Sequence, residues 1–170
     1  MNKEIKLEQF TRGHITPQYI GWLNNRELVK YSEQRHHKHT YKTCLKYYES
    51  FIGTPNLLFA VIDTKTNEHV GNINAFIDIY NAVSDIGILI AKGNQGYGLA
   101  AWKMMIQILF FEKKIRKITA GTMATNHTMI KIFEKSNMQK EYVQKRQFLS
   151  NNNEIDLIGY FIINEKYIPN

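Results

Sequence analysis

Three glycines within six residues are the feature of this sequence that most directly suggests chemistry. Gly93, Gly96 and Gly98 lie between an apolar stretch that ends at Ala91 and a second apolar stretch that begins at Leu99. A glycine loop between a buried strand and a helix exposes backbone N–H groups at the helix N-terminus, where the helix dipole adds about half a positive charge. The loop therefore predicts a binding site for phosphate or diphosphate, the alternative being that the glycines only make a tight turn.

Two common phosphate-binding loops do not match this spacing. A P-loop requires Lys-Ser or Lys-Thr at its end, whereas Gly98 is followed by Leu-Ala-Ala. A dinucleotide-binding loop requires its glycines early in a βαβ unit, with an acidic residue about 20 positions later, and this pattern is also missing. Both nucleotide folds are therefore excluded.

Side chains that can move a proton fall in two other segments. Residues 33–39 read Glu-Gln-Arg-His-His-Lys-His, and Asp85 stands at the entrance of the apolar stretch. A carboxylate, or a histidine with a pKa near 6.5, can act as a general base at neutral pH. Glu33, His36 and Asp85 are therefore the candidate bases, and an ordinary surface position is the alternative for each. We expect no metal site, because adjacent histidines rarely converge on one ion.

Length and composition indicate one globular domain over residues 1–170. The chain is 44% hydrophobic and 22% charged, which excludes disordered, collagen-like and low-complexity classes. Its single cysteine, Cys44, excludes a disulfide framework, and the N-terminus lacks the apolar stretch of a signal peptide. The longest apolar segment, residues 99–111, is interrupted by Lys103 and Gln107 and is too short for a membrane span. We therefore expect a cytoplasmic protein with no membrane partner.

The net charge of +7 favours an anionic partner, which the charge alone does not identify. Lysine and arginine are scattered along the chain, and no helix-turn-helix or RNP pattern is present. We therefore do not expect nucleic acid as a partner, and a basic nucleic-acid-binding module remains the alternative from another class.

Hydrophobic periodicity predicts the element order β-α-α-β-β-β-α-β-α-β-β, an α+β (α/β) fold with a mixed sheet and helices on both faces. Thr16 is the predicted N-cap of the first helix, with Pro17 at its first position. The strand over 86–91 is apolar on both faces, which predicts that it is covered on both sides. The other predicted strands are 5–10, 57–62, 73–79, 118–124, 142–149 and 155–163, and the later helices are 41–52, 99–114 and 126–136.

With these elements the sequence resembles the GNAT superfamily of acetyl-CoA-dependent N-acetyltransferases over nearly its whole length, and most closely over 86–138. The family motif Q/R-x-x-G-x-G/A fits residues 93–98, with Gly93 in place of Gln or Arg. It fits residues 95–100 literally, but the following helix is then short. We favour the first register.

The second family motif, N-x-x-[SA]-x-x-x-[YF]-x-K-x-G-F, is similar to the segment that begins at Asn126. Met129 replaces the small residue, and Asn137-Met138 replaces Gly-Phe. Phe133 lacks the hydroxyl of the tyrosine that is frequent at its position, so the identity of a general acid stays open. Asn126 resembles the side chain that the family turns toward coenzyme A, and a helix N-cap is its alternative role.

The resemblance implies a mostly antiparallel sheet with splayed strands at the cofactor cleft. It also implies transfer of an acetyl group from acetyl-CoA to a primary amine, by direct attack in a ternary complex. A backbone amide at Leu89 or Ile90 would donate to the thioester oxygen. The implied cofactor contacts are Ile88, Leu89, Ile90, Ala91, Asn94, Gln95, Gly96, Tyr97, Gly98, Leu99, Asn126 and Phe133.

Residues 22–35 and 117–121 look like a bacterial GNAT group of sugar-nucleotide and surface-polysaccharide pathways. They are also similar to ribosomal-protein N-terminal and polyamine acetyltransferases. The charge of +7 favours an anionic small-molecule acceptor, such as a nucleotide-linked amino sugar, over a polycation. Asp156 is a further candidate for binding the acceptor amine, or else an edge-strand charge. A protein N-terminal acetyltransferase and a non-catalytic CoA-binding domain remain alternatives, and the sequence leaves open a homodimer.

Overall fold

The computed structural model describes residues 4–93 and 95–168, which form seven strands in one sheet of order β1-β2-β3-β4-β5-β7-β6. The predicted order of strands and helices is confirmed, as is the α+β fold with a mixed sheet and helices on both faces. The strands are β1 Ile5–Gln9, β2 Leu57–Asp63, β3 His69–Asp78, β4 Val83–Ile90, β5 Lys117–Met123, β6 Gln139–Ser150 and β7 Asn153–Ile163. The α-helices are α1 Pro17–Asn24, α2 Tyr41–Glu49, α3 Tyr97–Gln107 and α4 His127–Lys135.

The chain divides into two compact units. The first unit comprises Met1–Phe76 and Gly87–Ala101, and the second comprises Ile77–Ile86 and Trp102–Asn170. Each unit therefore draws its residues from two separate stretches of sequence. The single domain over residues 1–170 stays a prediction.

In the first unit, α1 and α2 pack on the antiparallel strands β1, β2 and β3. The hydroxyl of Thr16 accepts a hydrogen bond from the Tyr19 N–H, and Pro17 occupies the first helical turn, so the predicted start of α1 is confirmed. Thr40 and Thr43 cap the start of α2 by reciprocal hydrogen bonds. The core cluster of this unit consists of Phe10, Ile15, Tyr19, Leu23, Cys44, Phe51, Leu58, Ala60 and Ile62.

Strand β3 begins at His69, four residues before the predicted start at Ile73. Its register with β2 shifts at a bulge, since Val61 pairs with Gly71 while Ile62 pairs with His69. The early residues of β3 mix polar, small and apolar types and therefore show no alternation. Their place in the sheet comes from backbone pairing with β2, which periodicity does not report.

Strand β4 differs from the predicted fully covered strand. Ser84 and Ile86 are buried, with exposures of 1% and 4%, but the side chains of Ile88, Leu89 and Ile90 are only half-buried. Asp85, between Ser84 and Ile86, is exposed, so the expectation of cover on both sides is wrong: the first half of β4 is buried on one face only, and the second half is half-buried.

In the second unit, β4 and β5 form the parallel pair of the sheet, and β7 runs antiparallel to both β5 and β6. The described pairs of β4 with β5 cover only the three residues Val83, Ser84 and Asp85. The rings of Trp102, Phe133 and Tyr160 form the aromatic centre of the core in this unit.

Helix α3 begins two residues before the predicted Leu99 and continues into a π-helical turn, Ile108–Glu112. In the part of the chain that the structure describes, no helix combines the length and apolar character needed to cross a bilayer.

Gly71 is a position where β3 tolerates no side chain. A Cβ atom built there would lie 2.3 Å from the carbonyl oxygen of Leu89 and 3.0 Å from the Cα of Ile90. We therefore expect Gly71→Ala to lower the free energy of unfolding by about 2 kcal/mol or more, because backbone must move to relieve the clash. Urea unfolding followed by circular dichroism measures this change.

The matched control is Gly21→Ala in α1, where an added Cβ meets nothing within 4 Å. Alanine at an exposed helical position is expected to stabilise the protein by about 0.5–1 kcal/mol. Equal stabilities of the two variants would contradict the close approach of β3 and β4 at Gly71.

Candidate functional site

The loop between β4 and α3 contains a left-handed glycine immediately before the helix. Gly96 has a φ of +86°, a left-handed conformation that glycine adopts without strain. Its carbonyl accepts the helical hydrogen bond from the Ala100 N–H at 3.2 Å. Because the leading N–H groups of a helix have no intrahelical acceptor, the first turn directs the amides of residues such as Gly98 and Leu99 toward the loop. Gln95 and Gly96 are exposed, so an anion can reach this position.

The side chain of Tyr97 anchors the loop. It is 3% exposed, and its hydroxyl donates a hydrogen bond of 2.5 Å to the buried carboxylate of Asp63 at the end of β2. The same carboxylate accepts hydrogen bonds from the N–H groups of Lys65 and Thr66, at 2.8 and 3.1 Å. The Tyr97 side chain is therefore committed to the fold, and only its backbone faces the loop.

A second contact holds the other end of the loop. The Lys92 ammonium lies 2.5 Å from the Glu68 carboxylate in the β2–β3 connection. Gly93 next to it needs no special conformation, since a Cβ there would meet nothing within 4 Å. A side chain is therefore tolerated at the position where the first register of the family motif expects Gln or Arg. Gly96 is the left-handed residue of this loop, which also favours the first register of the motif. Asn94 lies outside the described residues.

The end of β4 is fixed on its β3 side. The Ala91 N–H donates to the carbonyl of Val70 at 2.9 Å, and the Leu89 carbonyl lies against Gly71. The described pairs of β4 with β5 do not include residues 88–90.

Glu33 and His36 lie together on an exposed 3-10 turn between α1 and α2. The Glu33 carboxylate pairs with Arg35 at 2.7 Å and lies 3.6 Å from the His36 ring nitrogen. The Asn24 amide holds the following segment, because it accepts from the His39 N–H and donates to the His39 carbonyl, both at 2.9 Å. The two candidate bases therefore share one ordered turn, in which Glu33 already has a cationic partner.

Asp85, the third candidate base, lies in the second unit at the end of the β4–β5 pairing. The Thr119 hydroxyl donates to its Oδ2 at 3.0 Å. The residue as a whole is exposed. Protein atoms around its carboxyl group nevertheless remove water from it, and this desolvation raises its pKa. The hydrogen bond from Thr119 lowers the pKa and partly offsets this effect. A raised pKa makes this carboxylate a stronger proton acceptor than an ordinary aspartate.

The structure confirms the helix-cap alternative for Asn126. Its Oδ1 accepts from the Met129 N–H at 3.2 Å, and its Nδ2 donates to the Thr122 hydroxyl at 2.9 Å. Phe133 is 1% exposed, with ring centroids 5.4 Å from Trp102 and 4.8 Å from Tyr160. The Phe133 ring therefore packs in the core of the second unit, and its contact with coenzyme A stays a prediction.

Asp156, the candidate amine ligand, braces the β6–β7 hairpin. Its carboxylate accepts from the Lys145 ammonium and from the Arg146 N–H, both at 2.9 Å, and these contacts lower its pKa. The edge-strand alternative is wrong, because β7 lies between β5 and β6 in the sheet, and the contact of Asp156 with an acceptor amine stays a prediction.

Sequence reasoning missed His69. Its ring packs among aromatic rings, with centroids 5.0 Å from Trp22, 5.4 Å from His14 and 6.1 Å from Tyr19. Burial, reinforced by repulsion from His14, lowers the pKa of His69 to about 4, so the ring is neutral at pH 7. No motif marks this residue, because its surroundings come from three separate elements.

In the described parts of the chain, no three histidine, cysteine or acidic side chains are placed to hold a metal ion. The segment 36–39 brings only the rings of His37 and His39 near one another, with centroids 6.4 Å apart.

Comparison with known proteins identifies the family. The model of the acetyltransferase (GNAT) domain matches residues 4–139, well over half of the chain. The chain therefore belongs to the GNAT family, and the resemblance inferred from its motifs is confirmed. It is an N-acetyltransferase with acetyl-CoA as co-substrate. No curated protein matches the chain at the sequence level.

Solved structures share this fold over nearly the whole chain. A spermidine N-acetyltransferase from Vibrio cholerae, in complex with CoA and spermine, has a TM-score of 0.86 at 18% identity, covering 96% of this chain and 97% of that one. A GNAT-family acetyltransferase from Bacillus anthracis has a TM-score of 0.81 at 21% identity, covering 96% of each chain. A RimL ribosomal L7/L12 α-N-protein acetyltransferase in complex with coenzyme A has a TM-score of 0.83 at 15% identity, covering 94% and 93%. At these identities the structures establish the fold and leave the acceptor undefined.

The low pKa of His69 predicts a stability that depends on pH. Between its ordinary value of 6.5 and about 4, the unfolded state binds a proton that the folded state excludes. The free energy of unfolding should therefore fall by up to about 3 kcal/mol as the pH drops through this range. Urea unfolding at several pH values measures this dependence.

In His69→Gln this part of the pH dependence should be absent, whereas His37→Gln, which changes an exposed histidine, should retain it. A pH dependence that is the same in both variants would show that His69 is not held neutral.

Proposed function

We propose that this acetyltransferase transfers the acetyl group of acetyl-CoA to the primary amine of a small acceptor that is anionic overall, by direct attack in a ternary complex. The observation that supports the proposal most strongly is the left-handed Gly96 at the start of α3, in the loop that directly follows β4. In this proposal the start of α3 offers backbone amides to the diphosphate of acetyl-CoA, and β4 offers a backbone edge to the pantetheine arm that follows the diphosphate.

The residues of the loop fit a diphosphate. In this proposal the amides of Gln95, Gly96, Tyr97, Gly98 and Leu99 surround its oxygens at the positive end of the α3 dipole. Glycine at position 96 keeps the backbone close to the anion without a Cβ atom between them.

The second half of β4 positions the thioester. Residues 88–91 pair with the pantetheine arm as an added strand would, and the N–H of Leu89 or Ile90 donates to the carbonyl oxygen as it gains negative charge. Asn126 in the second unit, whose amide retains one N–H beyond its two described bonds, is proposed as a further contact to coenzyme A.

The reaction needs a neutral amine and a group that receives its proton. The amine nitrogen forms a bond to the acetyl carbon as the carbon–sulfur bond breaks, and the departing thiolate takes a proton from water. A thiol of pKa about 8.5 leaves without a strong acid, so the absence of a hydroxyl at Phe133 is compatible with turnover. We assign the base to Asp85, because its pKa is raised, and keep Glu33 and His36 as the alternatives.

Charge supports the class of acceptor. With 22 basic and 15 acidic side chains, the protein attracts an anionic molecule such as a nucleotide-linked amino sugar more strongly than a polyamine. The spermidine and ribosomal-protein acetyltransferases named above show that amine acceptors of other kinds occur on this fold. An assay of thiol release therefore includes amino sugars, nucleotide amino sugars, polyamines and N-terminal peptides.

We expect Gly96→Ala to weaken acetyl-CoA binding about tenfold or more. The free loop of the variant relaxes away from the left-handed conformation, so binding must restore it at a cost of about 1–2 kcal/mol, and the added methyl group also crowds the diphosphate. Isothermal titration calorimetry with acetyl-CoA measures the change in Kd.

Gly53→Ala is the control for this experiment, since Gly53 is also left-handed, with a φ of +73°, but lies after α2. This control variant should lose stability and keep its affinity. An unchanged Kd in Gly96→Ala would contradict the assignment of the loop.

We expect Asp85→Asn to lower kcat/KM for the acceptor about 100-fold with the Kd of acetyl-CoA unchanged, because a general base contributes a factor of this order. Thiol release and calorimetry measure the two quantities. Asp78→Asn, at an exposed aspartate whose carboxylate only caps the β3–β4 turn, should retain full activity. Full activity in Asp85→Asn would transfer the role of base to Glu33 or His36.

A further inference from the structure

Strand β3 contains an extra residue near its start. Gly71 pairs with Val61 of β2, and His69 pairs with Ile62, so Val70 is the residue that the bulge inserts. A bulge interrupts the regular ladder of hydrogen bonds between two strands, and it leaves backbone groups that need other partners. The bulge of β3 therefore depends on contacts from outside the ladder.

The side chain of His69 supplies one of these contacts. Its Nε2 lies 2.9 Å from the carbonyl oxygen of Gly71. Because a carbonyl oxygen only accepts, Nε2 carries the proton and donates it. The ring is neutral at pH 7, as described above, so this hydrogen bond uses its one N–H and fixes its tautomer. Stacking on Tyr19 and an edge contact with Trp22 hold the ring in place.

The bulge of β3 lies directly against the end of β4. The carbonyl of Val70 accepts a hydrogen bond from the Ala91 N–H at 2.9 Å. Gly71 leaves no room for a Cβ atom beside the Leu89 carbonyl and the Ile90 backbone. All three of these β4 residues therefore rest on two residues of the bulge. In the function proposed above, one of their amides donates to the carbonyl oxygen of the thioester.

We propose that His69 is a positioning residue for acetyl transfer, because it holds the Gly71 carbonyl and thereby the bulge on which the thioester-binding end of β4 rests. This proposal rests on the function proposed above. His69 acts through the backbone of Gly71 and not on the reacting atoms. A backbone donor stabilises the developing oxyanion only when its direction is fixed before the charge appears. A displacement of about 1 Å lowers the rate by as much as 100-fold.

Methionine and glutamine at position 69 form a matched pair of similar length. Glutamine places an N–H group near the position of the imidazole Nε2, whereas methionine offers no donor. We expect His69→Met to lower kcat about tenfold and His69→Gln to keep a kcat close to that of the wild type. The Kd of coenzyme A, which lacks the acetyl group, should be unchanged in both. Thiol release with the amine that the wild type acetylates fastest measures kcat, and calorimetry measures the Kd.

His14→Met is the control for a general loosening of the aromatic cluster. The His14 ring lies 5.4 Å from the His69 ring, between centroids, but it accepts a hydrogen bond from the Thr11 N–H and not from β3. This variant should therefore keep the kcat of the wild type. Urea unfolding of all three variants ensures that kcat is measured on folded protein.

Two NMR measurements test the proposal without turnover. In the free wild type, the ¹⁵N shifts of the His69 ring should place the proton on Nε2. With acetyl-CoA labelled with ¹³C at the acetyl carbonyl, and with no amine present, the carbonyl signal should move downfield on binding, because a backbone donor polarises it. The same shift is expected with His69→Gln, and a smaller one with His69→Met.

Four results would each overturn the proposal. They are an unchanged kcat in His69→Met, an equal loss in His69→Gln, an equal loss in His14→Met, and the same carbonyl shift in His69→Met as in His69→Gln. Failure of the proposed function would look different, since the wild type would then release no thiol with any of the amines named above. The carbonyl shift would still decide the role of His69 in that case.

Discussion

The hydrogen bond from the Tyr97 hydroxyl to the buried Asp63 carboxylate is the contact on which the arrangement of the loop depends. It joins the first residue of α3 to the end of β2, 34 positions earlier in the chain. A buried hydrogen bond to a charged group contributes about 1.5–3 kcal/mol, and Asp63 is further held by two backbone amides of the β2–β3 turn. The amides at the start of α3 are therefore fixed in direction before any anion arrives, which is the condition for strong anion binding.

Glycine serves this protein in three distinct ways. At position 96 it supplies a left-handed turn that starts the helix, and at position 71 it lets β3 approach the backbone of β4. At position 87 glycine leaves room for the Asn74 amide, which occupies the space that a side chain would need. Strand β4, which leads into the loop, thus lies close to β3 because Gly71 of β3 and Gly87 of β4 have no side chains.

The polar groups of the first unit are mostly neutral where they are buried. Asn72, Tyr19 and His69 carry no charge at pH 7, while the ion pairs of Glu33, Lys92 and Arg12 lie at the surface. Buried neutral groups recognise ligands by hydrogen bonds of defined direction, and surface charges act at longer range and are screened by salt.

The sequence by itself determined the element order, the glycine loop and the caps at Thr16 and Asn126, because these features depend on residue type and local spacing. Only the tertiary structure decided the partner of Tyr97, the burial of Phe133 and the start of β3 at His69. Each of these three features is a contact or pairing between different elements, and the periodicity within one element carries no information about such pairs.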